Sequence, residues 1–230
     1  GHVMDQIRKI SQGLKNDIDN PYDSSKPKIL FVEGGSQYDI YAMRSAGIDP
    51  ATGKEIFIKK NGEYTFKYDE NERVAVGNTN PILQGSWMNT VRYKGFSISL
   101  ATSYTFGSDY YNSTLKNKVE NIDLDYNVDR RVFTDRWKQP GDHTRFLGIG
   151  TSSSSSQYSE RFVEKRNELY ISSIQVMYDF APKAITRLGL RKLAIGFGLS
   201  DIAHISTVKF ERGTDYPYCR GINLIFRPTF

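Results

Sequence analysis

Five oxygen-bearing side chains, Asn121, Asp123, Asp125, Asn127 and Asp129, recur at every second residue, the kind of spacing calcium loops use to surround a hard cation. A helix-loop-helix calcium site needs Gly at its sixth position and Glu at its twelfth. Counting from Asn121 finds Tyr126 and Val132 instead, so the stretch reads as a solvated polar loop and no metal site is expected. Ser200, Asp201 and His204 contain the residue types of a hydrolytic trio, but nothing around them resembles a nucleophile elbow, and such trios are built in space rather than in sequence. His2, His143 and His204 show no ligand spacing, and the single Cys219 removes any disulfide framework or cysteine zinc site. Gly148-Ile149-Gly150 lacks the Gly-Lys-Ser/Thr ending of a phosphate loop, and with Ser152 to Ser156 it reads as a flexible tether. No enzyme and no cofactor is expected.

One loop element stands apart. Trp137 precedes Pro140-Gly141-Asp142. Its indole and the following carboxylate can either touch a ligand or bury area over a Pro-Gly turn as a packing anchor. Tyr110 and Tyr111, at the start of the same long loop, join Trp137 and Asp142 as candidate contacts.

What positions these loops follows from the rest of the chain. Its 230 residues are 38% hydrophobic and 13% aromatic, with 15 Tyr and 13 Phe. A mean hydropathy of -0.52 and the lack of a long apolar run exclude a transmembrane helix. They do not exclude a membrane β-barrel, whose lumen and loops are polar and whose strands each offer only about five side chains to lipid. The net charge of +5 is spread along the chain rather than clustered, so nucleic acid is not an expected partner.

Alternation of period two is the strongest signal. Phe96, Ile98, Leu100, Tyr104 and Phe106 alternate with Ser97, Ser99, Ala101, Ser103 and Thr105, which predicts a strand with one greasy and one small polar face. Ten steps from Phe96 to Phe106, tilted at about 45°, project onto roughly 23 Å, close to the ~25 Å apolar band of a membrane barrel. Leu83 to Tyr93 pairs with it across Lys94-Gly95. Asn167 to Phe180 repeats the pattern with a phase slip at Ser172-Ser173 that predicts a bulge. Leu193 to Leu199 and Gly221 to Phe230 follow. A first hairpin is expected from Lys28 to Glu33 and Gln37 to Ala46 around Gly34-Gly35-Ser36, and a small one around Asn61-Gly62, in a type I′ turn, from Lys54 to Lys60 and Glu63 to Tyr68. Met4 to Asp19 carries Ile7, Ile10, Leu14 and Ile18 at helical spacing, stopped by Pro21.

The expected organisation is a helix and linker over 1-27 and a strand-built segment over 28-230. Its long loops are 47-82, 108-166 and 201-219, and they alternate with short turns, as in outer-membrane barrels. Seven strands result, an odd number that points to part of a larger barrel. Gly1-His2-Val3-Met4 opens on no apolar signal segment, so an outer-membrane origin requires a start further upstream.

Several segments, in this order, resemble the carboxy-terminal part of TonB-dependent outer-membrane receptors of the SusC/RagA type. They are Glu33-Gly34-Gly35-Ser36, Ala46-Gly47-Ile48-Asp49-Pro50, Val76-Gly77-Asn78-Thr79-Asn80-Pro81, Arg92-Tyr93-Lys94-Gly95-Phe96, Arg136-Trp137-Lys138-Gln139-Pro140-Gly141-Asp142 and Gly221 to Phe226. The resemblance implies an all-β fold, a transmembrane antiparallel barrel of about 22 strands of which this chain supplies about seven, open and curved if isolated. It also implies residence in the outer membrane of a Gram-negative bacterium. The implied partners are membrane lipid, a SusD-like lipoprotein, TonB through a plug outside this chain, and an oligosaccharide or peptide cargo. Gly221, Leu224, Phe226 and Phe230 would form the carboxy-terminal signal for barrel insertion. Trp137, Asp142, Tyr110 and Tyr111 would lie at the barrel mouth, near substrate or lid. Two other architectures fit the same strands. One is a secreted β-sandwich that binds carbohydrate, and the other is a small autonomous barrel with an eighth strand from Glu63 to Tyr68.

Overall fold

A computed structural model describes residues 6-10, 31-122, 127-150, 157-186, 189-209 and 220-230. The chain divides into two units, one made of Gly1–Asn80 with Ser108–Lys165, the other of Pro81–Gly107 with Arg166–Phe230.

The second unit is built on one antiparallel sheet. In chain order its strands are β6 (Leu83–Tyr93), β7 (Phe96–Tyr111), β8 (Val163–Asp179), β9 (Lys192–Ser206) and β10 (Gly221–Thr229), and they lie in the order β10-β9-β8-β7-β6. Among the described residues the sheet is open, because β6 and β10 each have a neighbour on one side only. β7 and β8, at 16 and 17 residues, exceed the roughly 9–11 residues that cross a bilayer, and their far ends belong to the first unit. β6 and β7 join through Lys94 and Gly95, both in the left-handed region at φ 44 and 84, which is the two-residue type I′ geometry that matches sheet twist.

The expected bulge is present, with its extra residue on the partner strand. From Ile171 to Ser173 β8 advances two residues, whereas β9 advances three, from Ser200 to Ala203. Asp201 absorbs the excess at φ 55, a conformation that Asp tolerates better than most side chains, and its carboxylate accepts a hydrogen bond from the Tyr170 hydroxyl.

The first unit holds the remaining strands, and here the sequence reading needs correction. Among the described residues the first hairpin is not seen, and 28-30 of its first arm lie outside them. Residues 31-33 are not strand, although Gly34, at φ 88, does turn the chain. The stretch Gln37 to Ala46 splits into β1 (Asp39–Ala42) and β2 (Arg44–Ile48). β1 pairs with β5 (Val74–Asn78), while β2 pairs with β3 (Glu55–Ile58), which pairs with β4 (Tyr64–Thr65). The long sheet therefore takes five of the seven expected strands. Alternation alone cannot distinguish a short strand in a folded loop from a barrel strand, since both have period two. Residues 6-10 are extended rather than helical, bridged to the Gly34-Gly35 turn through Ile7, and the rest of the expected amino-terminal helix lies outside the described residues.

The β3–β4 turn also differs from its expected form. Only Gly62 has positive φ, at 90, and its N–H donates to the Lys59 carbonyl at 3.0 Å, so this is a three-residue loop with a bulge rather than type I′. Among the described residues β4 pairs only with β3, outside the long sheet, so it does not serve as an eighth strand of that sheet.

The core of this unit joins Ile40 of β1, Tyr111 at the end of β7, Leu115 and Val119 of the helix Ser113–Val119, Phe146 and Phe162. Leu115 and Val119 are four residues apart on one helix face. Asn112 caps that helix, its side-chain oxygen accepting from Leu115 N–H at 3.0 Å while its amide donates to Glu164 at 3.1 Å.

Candidate functional site

Two surfaces could act, the faces of the long sheet and the folded loops. On the sheet, residues directly opposite in the register share a face. Phe96, Ile98, Leu100, Tyr104 and Phe106 of β7 stand beside Tyr93, Val91, Asn89, Gly85 and Leu83 of β6. The Phe96 and Tyr178 rings meet at 4.6 Å, which places Tyr178, Val176 and Ile174 of β8 on the same side. Register then carries the row through Ile195, Phe197 and Leu199 of β9 to Phe226, Leu224 and Ile222 of β10. Most of it is open to the surroundings, up to 81% at Leu224. An uncovered apolar face crossing five strands far exceeds what a soluble monomer leaves exposed.

The opposite face is mostly small and polar, with Met88, Met177 and Ile225 as its large apolar members. Ser97, Ser99, Ser103 and Thr105 lie beside Arg92, Thr90, Ser86 and Gln84, and the Thr90 and Ser99 hydroxyls hydrogen-bond at 2.9 Å. Further along come Ser173 and Gln175, Gly196, Gly198 and Ser200, and Asn223. Among the described residues the unit has no second sheet, and Ser97, Ser99 and Ser103 are all partly exposed. A β-sandwich would stack a second sheet on one of these faces, so the sandwich expectation is not met.

The carboxy-terminal residues fall as the alternation requires. Gly221 opens β10, Leu224 and Phe226 lie in the apolar row, and Phe230 follows the strand, 79% exposed.

In the folded loops, Trp137 gives its indole N–H to the Pro50 carbonyl at 2.9 Å, and its ring covers Gly53, where a Cβ would strike it. Gly141 N–H also donates to Pro50, at 2.9 Å. The Asp49-Pro50 and Pro140-Gly141 segments thus form one packed corner with Trp137 as its anchor. Asp142 accepts from the Lys138 and Gln139 backbone N–H groups, both at 3.1 Å, and so holds its own turn. Tyr111 is in the core beside Phe162, while Tyr110 is half-buried. Of the alternating polar run, Asp123 and Asp125 lie outside the described residues. Asp129 is bound by the Arg131 guanidinium, whose hydrogen bonds hold its carboxyl well below the usual range. The serine tether also lies outside the described residues.

Sequence reasoning missed a buried ion-pair network. Arg161 pairs with Glu55 at 2.7 Å and Glu120 at 2.9 Å, and all three side chains are nearly inaccessible. Ser159 donates to Glu55, and Leu147 N–H donates to Glu120 at 3.0 Å. Burial alone would pull the Arg161 guanidinium down, but the two carboxylates outweigh it and push it up. The three partners are 106 and 41 residues apart in pairs, so no local pattern announces them.

The chain is 25% identical over 188 residues to the TonB-dependent receptor P39 of Formosa agariphila, a match covering 79% of this chain and 18% of that protein. The chain resembles a TonB-dependent receptor. No protein-family model matches it. Its fold is that of part of the RagAB peptide importer, with a TM-score of 0.61 in the open-open state at 16% identity, over 74% of this chain and 19% of that one. The closed-closed state gives 0.59 at 15% identity, over 78% and 20%. This receptor-like chain spans about a fifth of the length of each relative. The resemblance read from the motifs, to receptors of the SusC/RagA type, is therefore met in sequence and in fold. Several of those motifs now have structural reasons. Asn78 receives Asn80 N–H at 2.8 Å, donates to Asp39 at 2.8 Å and gives its own N–H to Asp109 at 2.9 Å, which ties β1, β5 and the end of β7 together.

Proposed function

We propose that this chain is a stretch of barrel wall with its folded outer loops, part of a longer TonB-dependent transporter in a Gram-negative outer membrane. The whole protein imports glycans or peptides with a SusD-like surface lipoprotein, and draws energy from TonB through a plug elsewhere in its length. The observation that carries the reading is the apolar row continuous through β6 to β10, backed by a row of Ser, Thr, Gly, Gln and Asn. Lipid would cover the first row and lumenal water the second. The chain contributes shape and surface rather than reaction chemistry, and Gly221, Leu224, Phe226 and Phe230 supply the insertion signal.

The test uses the full-length receptor in outer membranes, with spin labels at Ile98→Cys and Leu224→Cys against Ser99→Cys and Asn223→Cys. The first pair should be relaxed by oxygen and the second by a water-soluble nickel chelate. Labels at Ile98 and Leu224 that respond chiefly to the chelate would end the reading.

A further inference from the structure

Among the described residues Arg136 is a buried cation with no ion pair of its own; Glu120 acts on it through space but is itself paired with Arg161. It is 3% exposed, and its Nε, Nη1 and Nη2 donate to the carbonyls of Leu147 at 2.6 Å, Val119 at 3.0 Å and Gly148 at 2.9 Å. Among the described residues no carboxylate pairs with it. The carbonyls satisfy its hydrogen bonds but leave its charge in place, and a charge in a poorly solvated site acts over a longer range than one in water.

Arg136 is one of the residues lining a cleft of about 430 Å³, with Thr134, Lys138, Gln139, Asp142, His143 and Thr144. The Lys138 and His143 residues are exposed, and neither side chain has a hydrogen-bond partner or ion pair among the described residues. Asp142 is the single acid of the lining, and it faces two backbone N–H groups of its own turn. Arg136 and Lys138 therefore outweigh it, and the volume falls within the ~300–1,000 Å³ of small-ligand sites. Trp137 is not part of the lining, so selection here would depend on charge and polar contacts rather than on ring stacking.

We infer that this cleft binds a carboxylate of the cargo, with Lys138 and His143 as donors and Arg136 supplying a fixed positive potential. This rests on the importer reading. The carboxylate could belong to a uronic-acid sugar or to an acidic peptide, and the two sources are separated by probe.

The experiment measures calorimetric binding to detergent-purified full-length receptor of trigalacturonate against galactotriose, and of N-acetylated, C-amidated Ala-Glu-Ala against the same capped Ala-Gln-Ala, so that the glutamate side chain is the one carboxylate in the peptide pair. In at least one pair the acid should bind about tenfold tighter, the worth of one charge-assisted contact. The pair that discriminates names the source. The double variant Lys138→Gln/His143→Gln, at exposed positions outside the packed corner, should lose that preference while keeping its neutral-probe affinity. Equal affinity within both pairs, or a preference that survives the double variant, overturns the inference. Heat-modifiable migration reads membrane assembly separately, so failure of the importer reading and failure of the carboxylate site are distinct results.

Discussion

The two units bury opposite things. In the loop unit Ile40, Leu115, Val119, Phe146 and Phe162 are inside, and so are Glu55, Lys116, Glu120 and Arg136. In the sheet unit Val91, Ile98, Phe197 and Leu224 are outside, and among the described residues only Ile185, Leu193 and Val208 are buried hydrophobics. Such a split is what one chain would show if half of it folded against water and half against hydrocarbon. A folded loop needs a core and must satisfy every charge it encloses. A barrel strand needs neither, since its backbone is satisfied by neighbouring strands and its apolar side chains by lipid.

The largest test of the contrast is Arg161→Ala. Removing the guanidinium leaves Glu55 and Glu120 buried and unpaired, a change that costs about 3–5 kcal/mol. Hydrogen exchange on the full-length receptor should show protection lost in the helix Ser113–Val119 and retained in β9 and in β7 up to Gly107. If protection fell equally in both, the two units would not be separate folding entities.

Next comes charge on the sheet. Leu100→Lys, in the apolar row and near the middle of the Phe96 to Phe106 span, should destabilise by about 2–4 kcal/mol, while its neighbour Ser99→Lys should cost less than about 1 kcal/mol because it faces water. The reading is the denaturation midpoint of the membrane-assembled receptor. Equal effects at these adjacent positions would mean the faces are not differently solvated.

Legibility divides along the same line. The sheet announced itself because β7, β9 and β10 carry a strict two-residue period, and even the bulge left a trace at Ser172-Ser173. The loop unit did not. β1 and β2 look like one strand from Gln37 to Ala46, and their separate partners, β5 and β3, are chosen by long-range contacts. Trp137 was conspicuous, yet Pro50 and Gly53, which its ring meets, are more than eighty residues away. Arg136 was read as part of a motif, and its burial is visible only in three dimensions.

A third effect is read through pH. Lys116 is 4% exposed with its ammonium 4.4 Å from the Tyr158 ring centre, and burial pulls its pKa from 10.5 down to about 8 against the pull of Glu120. Between these values the unfolded chain holds a proton the folded one lacks, so stability rises with pH across that window. Below about pH 8 the penalty is fully present, on the order of 2–3 kcal/mol. Lys116→Met should stabilise the loop unit at pH 7 and flatten its stability between pH 8 and 10.5. An unchanged slope would mean that Lys116 is solvated in the folded protein.

The smallest effect compares one turn from each unit. Lys94-Gly95 closes β6 and β7 with both residues at positive φ, whereas the Asn61-Gly62 loop closes β3 and β4 with only the glycine there. A left-handed lysine is strained because its Cβ crowds the following carbonyl, and asparagine relieves this by hydrogen-bonding locally. Lys94→Asn should therefore stabilise the sheet by about 0.5–1 kcal/mol, raising the midpoint of the assembled receptor. Asn61→Lys, at a position with ordinary negative φ, relieves no strain and loses the bond its side-chain oxygen accepts from Glu63 N–H at 3.0 Å, so it should destabilise by about 0.5 kcal/mol. The sheet's hairpin thus carries a lysine where the backbone favours asparagine, whereas the loop's hairpin uses its asparagine as an acceptor for the turn rather than for its backbone tolerance. If both substitutions proved neutral, the Lys94 backbone would not hold the left-handed conformation once the wall is embedded, and the tight turn would have to be closed some other way.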